Sequence, residues 1–281
     1  FFFINIIINT KEYKIGMKRW LIGLFFVFMS VYVFATHERA GEIIYRHLSG
    51  LTYEITLITY TYTLSPADRD ELEVLWGDGT SDFIQRVSKV NLGNEVQKNT
   101  YIAKHTFPSM GNYVISMEDP NRNQGVINIP NSVDVPFYIE SELIINPFMK
   151  SNNSPILNNP PIDIGCVGKP FHHNPGAVDL DGDSLVYSLI TCRGYNGQNI
   201  PGYFLPTASS DIGIDETTGD FYWDSPVMQG EYNIAILIEE YRHGVKVGSV
   251  VRDMQIIIMA CNNNPPEIYT ISDTCINAGD T

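Results

Sequence analysis

The sequence predicts an all-β protein, and three observations support this fold class. Tyr (16 residues), Phe (14 residues), Thr and Val are plentiful, and these residue types favour strands. Along residues 51–63 polar and apolar side chains alternate, so Tyr53, Ile55 and Leu57 share one face of a predicted strand. Turn residues interrupt such segments, and helical stretches rich in Ala, Leu, Glu and Lys are absent. The 281 residues suffice for roughly two such domains.

The N-terminal region is predicted to lie outside the fold. Residues 1–16 precede Met17 and consist mostly of Phe, Ile, Asn, Lys and Tyr, so we expect translated upstream sequence; a genuine extension is the alternative. Residues 17–35 combine a basic start, an apolar core and a Val-Phe-Ala cleavage site, which predicts a signal peptide. The core falls short of the roughly 20 residues of a membrane span, so we predict secretion, with an uncleaved anchor as the alternative.

After the predicted cleavage site, residues 36–41 are interpreted as a flexible lead-in. Their His37-Glu38 pair does not begin a zinc-protease motif, because the fifth position is Gly41. Strands are then predicted from the alternation and turn signals. They cover residues 42–47, 51–63, 71–76, 137–145, 221–223, 230–238 and 250–258, with a turn and strand at 105–117 and an Asn- and Pro-rich linker at 146–161.

A turn motif stands at Trp76, Gly77, Asp78 and Gly79. The glycines permit a tight turn, Asp78 can bond its amides, and Trp76 can fill a core; a ligand site on Trp76 and Asp78 is the alternative. Together with His-Thr-Phe at 105 and Gly-Asn-Tyr at 111, the motif resembles polycystic-kidney-disease (PKD) domains. The resemblance implies an Ig-like sandwich over residues 36–145, acting as a spacer or binding module.

An acidic loop precedes another predicted strand. Asp179, Asp181 and Asp183 alternate along it, and such hard oxygen donors suit Ca²⁺ better than a softer metal. The spacing matches the start of an EF-hand, but Ile190 stands where that motif has its bidentate Glu. We therefore predict a calcium-type turn between two strands, with a solvated acidic turn lacking an ion as the alternative.

The region around this loop resembles a cadherin-like, dystroglycan-type Ig module over residues 155–261. It carries Asp-x-Asp-Gly-Asp-x-Leu-x-Tyr-Ser, then Ile-Asp-x-x-Thr-Gly and Gly-x-Tyr before a final strand. The resemblance implies a second sandwich over 162–262, and hence tandem Ig-like β-sandwiches. It also implies that Glu240 and Asp253 join the loop as calcium ligands, although the family usually has Asp at the Glu240 position. For both, a solvated or salt-bridged carboxylate is the alternative.

The chain has four cysteines, Cys166, Cys192, Cys261 and Cys275. An even number in an exported chain indicates disulfides, and four cysteines allow three pairings. A strand-order argument favours 166–192 and 261–275. The Asn-Asn-Pro-Pro sequence at 158 recurs at 263, so residues 263–281 are predicted to begin a third, truncated module.

Composition and motifs exclude several functions. The net charge of −14 argues against nucleic-acid binding, which needs a basic surface. No phosphate-binding or serine-nucleophile motif occurs, and His172-His173 is interpreted as part of a turn without further metal ligands. Glu239 and Glu240 are adjacent strand residues that face opposite ways, so they cannot act as a glycosidase pair. No enzyme is expected within residues 36–281.

The sequence therefore predicts a secreted or cell-surface, multi-module adhesion or display protein. It is expected to be calcium-braced and to bind an extracellular glycan or protein. The lead-in and the two modules resemble large gliding-motility-associated secreted proteins of Bacteroidota, which implies export by that route. The alternatives are non-catalytic accessory modules of a larger secreted polysaccharidase or protease, and a spacer without a ligand.

Overall fold

Strands dominate the computed structural model, which describes residues 38–65 and 68–261. Its only helical elements in that part are two 3₁₀ turns, so the predicted all-β class is confirmed, while tandem Ig-like sandwiches stay a prediction. The strands are β1 (Glu38–Ser49), β2 (Thr52–Tyr62), β3 (Glu71–Leu75), β4 (Ser81–Gly93), β5 (Val96–Thr106), β6 (Gly111–Asp119), β7 (Phe137–Ile145), β8 (Ile156–Leu157), β9 (Ile162–Cys166), β10 (Phe171–His173), β11 (Ala177–Val178), β12 (Ser184–Ile190), β13 (Ile212–Ile214), β14 (Phe221–Trp223), β15 (Gly230–Arg242) and β16 (Val245–Met259), and the 3₁₀ turns are Ser132–Asp134 and Tyr195–Gly197.

The large sheet has the strand order β1-β2-β5-β4-β3-β6-β7-β16-β15-β12. Strand β1 also pairs with β16 through Gly41 and Asp253. The first eight strands of this order, which begin with β1 and end with β16, therefore close into a ring. All these pairs are antiparallel, whereas β9 adds to β16 in parallel. Strand β16 therefore connects early and late strands of the described chain: it pairs with β1, β7, β9 and β15.

Two large apolar cores and two smaller apolar clusters result from the alternating side chains. The first lies inside the ring and contains the buried Trp76 together with residues of β1, β2, β6 and β7. The second packs Phe221 and Trp223 of the small β10-β14-β13 sheet against apolar residues of β15 and β16. The predicted inward face of β2 is confirmed, since Tyr53 and Leu57 are buried.

Between the cores lies a group of buried charged side chains that we call the seam. The Arg122 Nη2 atom is 2.6 Å from Asp253 Oδ2, and Arg252 Nε is 2.7 Å from Glu42 Oε2. All four side chains are at least 98% buried. Buried charges are stable only when they are paired, so these ion pairs join β1 and the segment after β6 to β16. The seam comprises Glu38, Arg39, Glu42, Arg122, Arg252 and Asp253.

The structure around the seam corrects the prediction of a flexible lead-in and bears on the predicted domain boundaries. Residues 38–41 of the expected flexible lead-in are buried in β1, because β2 and β16 cover them on both sides. The other two, Thr36 and His37, lie outside the described residues. The boundaries predicted at 145 and 162 stay predictions, but hydrogen bonds of β16 to β1 and β7 cross them. The predicted linker also contains β8 and two buried polar side chains, Asn152 and Ser154.

Candidate functional site

The acidic loop between β11 and β12 is organised by one carboxylate. Asp179 Oδ1 accepts hydrogen bonds from the backbone amides of Asp181, at 2.9 Å, and Asp183, at 2.8 Å. Gly182 has φ near 83°, a conformation that residues with a Cβ atom rarely adopt. The loop shape therefore follows from neighbouring residues alone, as the sequence pattern indicated.

A third carboxylate reaches this loop from another strand. Glu240 lies in β15 opposite Leu185 of β12, where the β15–β16 register shifts. Oxygen atoms of Asp179, Asp183 and Glu240 lie within 4.8 Å of one another. Gly248 makes room for this arrangement, since a Cβ atom there would come 2.8 Å from Glu240 Oε1. The three carboxylates form the candidate metal centre.

The environment of Glu240 opposes its ionisation. The side chain is fully buried, and its oxygens accept hydrogen bonds from Asn152 Nδ2 at 2.7 Å and Tyr45 Oη at 3.3 Å. Burial raises the pKa of Glu240 to about 8, and the charges of Asp179 and Asp183 add to the shift. A cation in the cluster would favour the ionised form, because opposite charge lowers a carboxyl pKa.

One cation is already present beside the cluster. Arg242 donates from Nε to Asp183 Oδ1 at 2.7 Å and from Nη2 to Asp183 Oδ2 at 2.6 Å. Asp181 accepts hydrogen bonds from the backbone and side-chain amides of Asn153, and its Oδ2 lies 3.5 Å from Arg242 Nη2. This leaves Asp179 and Glu240 without a basic partner of their own, and Asp179 Oδ2 is buried with no hydrogen-bond partner among the described residues.

The donor set fits a hard divalent cation. Asp179, Asp183 and Glu240 supply closely spaced carboxylate oxygens, the ligand type that Ca²⁺ prefers. Of the other two predicted ligands, Asp181 lies in the loop but outside the cluster. Asp253 is elsewhere, in the seam, where Arg122 and Asn233 bond its oxygens. The structure thus brings together three of the five predicted ligands. Asp253 forms a salt bridge with Arg122, as the alternative interpretation of this residue allowed.

The Trp76–Gly79 turn has the geometry of a structural element. Asp78 Oδ1 accepts from the Thr80 amide at 2.9 Å, and Oδ2 lies 2.8 Å from His105 Nε2. Although burial opposes it, hydrogen bonds from Thr80 and His105 lower the pKa of Asp78. The His105 ring stacks on Trp76, with 4.6 Å between centroids. The side chain of Asp78 is therefore used within the fold, which favours the structural interpretation.

The cysteine pairing differs from the favoured one. A disulfide joins Cys166 to Cys261, whereas Cys192 is a buried free thiol; Cys275 lies outside the described residues. The strand-order argument for 166–192 assumed that Cys166 begins a strand and that Cys192 ends its antiparallel neighbour. That assumption was wrong, because Cys166 is the last residue of β9. In the structure β9 runs parallel to β16, so Cys166 lies opposite Met259, two residues before Cys261.

The two adjacent histidines lie in a strand, β10, rather than in the expected turn. His172 is exposed and His173 is buried, as alternation along a strand requires. His173 Nδ1 lies 3.2 Å from Asp163 Oδ2, and no group of metal-ligating residues at this position meets the spacing of the acidic cluster within the described ranges.

Sequence analysis missed the neutral partners of Glu240. Tyr45 comes from β1 and Asn152 from the segment expected to be a linker, about 90–200 residues away in the chain. No local motif marks either residue, so only the tertiary contacts reveal them.

Comparison with known proteins adds no assignment to this geometry. No family model matches the chain, and no curated protein matches it. The resemblance to PKD and cadherin-like modules therefore stays a prediction. Within residues 38–65 and 68–261 the structure contains no helix long and apolar enough to cross a membrane.

Proposed function

We propose that the chain is a non-enzymatic adhesion or display protein of the cell surface or secreted fraction. In this proposal calcium braces its acidic loop, and its modules bind an extracellular glycan or protein. The predicted signal peptide and the Cys166–Cys261 disulfide support an oxidising, extracellular location. Export by a gliding-associated route is part of the proposal and rests on the sequence resemblance.

One observation carries the calcium part of the proposal. Asp179, Asp183 and Glu240 place oxygens within 4.8 Å, while the paired cation, Arg242, contacts only Asp183 of the three. Calcium would supply the missing positive charge and join the loop to β15. A bound ion of this kind adds stability without a larger apolar core.

The alternative proposal is a set of accessory modules of a larger secreted polysaccharidase or protease. The chemistry of the described residues favours neither over the other, because a calcium-braced β unit serves both.

Thermal unfolding of residues 36–281 with Ca²⁺ and with a chelator tests the calcium site. At a calcium concentration 100 times the dissociation constant, mass action adds about 2.7 kcal/mol to the unfolding free energy. The expected result is a higher Tm with calcium and a smaller increase with Mg²⁺, which accepts irregular sites poorly.

Two variants locate the site. Asp179→Asn should abolish the calcium-dependent increase in Tm. Asp215→Asn is the matched control, since Asp215 also bonds turn amides, those of Thr217 and Thr218, but lies outside the cluster. Equal Tm values with millimolar calcium and with chelator would refute the calcium site.

A further inference from the structure

An open groove of about 820 Å³ lies next to the acidic loop. Three chain segments form its walls: residues 148–151, residues 180–184 and the β15–β16 turn at 241–244. In that turn His243 and Gly244 both have positive φ, which makes a tight two-residue hairpin. The groove is thus built from three separate parts of the chain.

Apolar side chains stand exposed in this groove. Phe148 is 93% exposed and Leu180 is 69% exposed, although both are large hydrophobic residues. Neither contributes to the cores, so the fold alone does not account for them. Exposed apolar groups beside polar ones are a common feature of ligand-binding surfaces.

The polar groups of the groove are held in place before any ligand arrives. Arg242 bonds both oxygens of Asp183 and also donates from Nη1 to the Lys150 carbonyl oxygen at 2.8 Å. Asn153 donates to Asp181 at 2.7 Å from its backbone amide. The side chains of Arg242 and Asp181 are therefore already ordered before a ligand binds, which reduces the entropic cost of binding.

The charges of the residues that line the groove balance, because Asp179 and Glu240, which carry the negative excess of the metal centre, do not line it. Asp181 and Asp183 are negative, and Lys150 and Arg242 are positive. Neither a polyanion nor a polycation would gain from this arrangement over its opposite. Hydroxyl groups, in contrast, both donate and accept, so they can bond carboxylates and ammonium groups in the same groove.

We propose that this groove binds a neutral carbohydrate chain. Phe148 contacts the apolar face of a sugar ring, as aromatic rings do when they cover C–H surfaces, and Asp181 and Lys150 bond its hydroxyls. The groove is open rather than enclosed, so it can admit a chain that extends beyond it. The inference rests on the proposed binding function and names the class of ligand.

Affinity gel electrophoresis of residues 36–281 tests the inference. The gels contain a soluble β-glucan, a mannan or a xylan as neutral probes, and alginate as the acidic probe, all with 2 mM Ca²⁺. We expect at least one neutral polysaccharide to retard the protein and alginate not to do so. Phe148→Ala should weaken the retarding interaction at least tenfold.

Phe83→Ala is the matched control. Phe83 is 65% exposed in β4 and does not line the groove, so this variant should be retarded like the natural chain. Because both side chains are largely exposed, both variants should have the Tm of the natural chain. Measuring the Tm therefore checks that they fold.

Three results would overturn the inference: no retardation by any neutral probe, retardation by alginate alone, or unchanged binding of Phe148→Ala. The calcium experiment gives a separate result. Binding of a neutral polysaccharide without a calcium-dependent Tm would support the groove and refute the calcium site. A calcium-dependent Tm without binding of a neutral polysaccharide would support the calcium site and refute the groove.

Discussion

The seam and the acidic loop both concentrate charge, but they neutralise it differently. In the seam, Arg122 pairs with Asp253 and Arg252 with Glu42, and these four side chains are buried. In the acidic loop and its neighbour Glu240, the carboxylates outnumber the single arginine that contacts them. Since the seam balances its own charge, we interpret it as structural. The loop keeps an excess of negative charge, so a bound cation would stabilise it.

The largest expected effect concerns the seam. Arg122→Met leaves the buried Asp253 carboxylate without its cation, which should cost about 3–5 kcal/mol of unfolding free energy. Urea unfolding measures the loss. Arg46→Met is the control, because the Arg46–Glu54 pair is largely exposed and such pairs contribute about 0–1 kcal/mol. Equal losses in the two variants would contradict the structural role of the seam.

A smaller effect is expected at the acidic loop. Arg242→Met removes two charge-assisted hydrogen bonds to Asp183, which should cost about 1.5–3 kcal/mol in the presence of a chelator. Calcium should reduce this loss, because the ion then neutralises the Asp183 carboxylate. Chemical unfolding with and without calcium measures both values.

Unfolding with and without calcium also distinguishes the seam from the acidic loop. The loss caused by Arg122→Met should not depend on calcium, since Asp253 lies outside the acidic cluster. If calcium leaves the loss in Arg242→Met unchanged, the loop does not differ from the seam in the way proposed.

The smallest expected effect tests the exception within the seam. Neither oxygen of Glu38 has a hydrogen bond of good geometry among the described residues. Burial raises the pKa of this fully buried carboxyl well above its usual value, and the charge of Asp119 adds to the shift. The folded state therefore keeps the proton to higher pH than the unfolded state does, so this group's contribution to stability decreases as pH rises above about 4.3.

Glu38→Gln removes this titration. At pH 7 the variant should have a higher unfolding free energy than the natural chain, because its buried amide has no charged form that burial disfavours. The difference should shrink towards pH 4, where both states of the natural chain carry the proton. Urea unfolding between pH 4 and pH 7 measures it, and Glu71→Gln, at an exposed position of β3, serves as the control. A difference that grows as pH falls would have the wrong sign.

Much of the local structure was predictable from sequence. The strand predicted at 137–145 coincides with β7, and the one predicted at 51–63 contains β2, because alternation with period two marks a half-buried strand. The hairpin of β4 and β5 was missed. Strand β4 is exposed along most of its length, so it lacks the alternation of a strand with one buried face.

The site divides along the same line. Sequence by itself determined the acidic loop, because Asp179 bonds amides only two and four residues away. The family resemblance already grouped Glu240 with the loop, but only the tertiary structure shows its carboxylate in the cluster, Asp253 in the seam and Cys166 beside Cys261. Each of these depends on how β15, β16 and β9 pair, and strand pairing between distant segments is decided by the combined burial of many side chains. A short stretch of sequence does not reveal this combined burial, so local patterns could not predict these pairings.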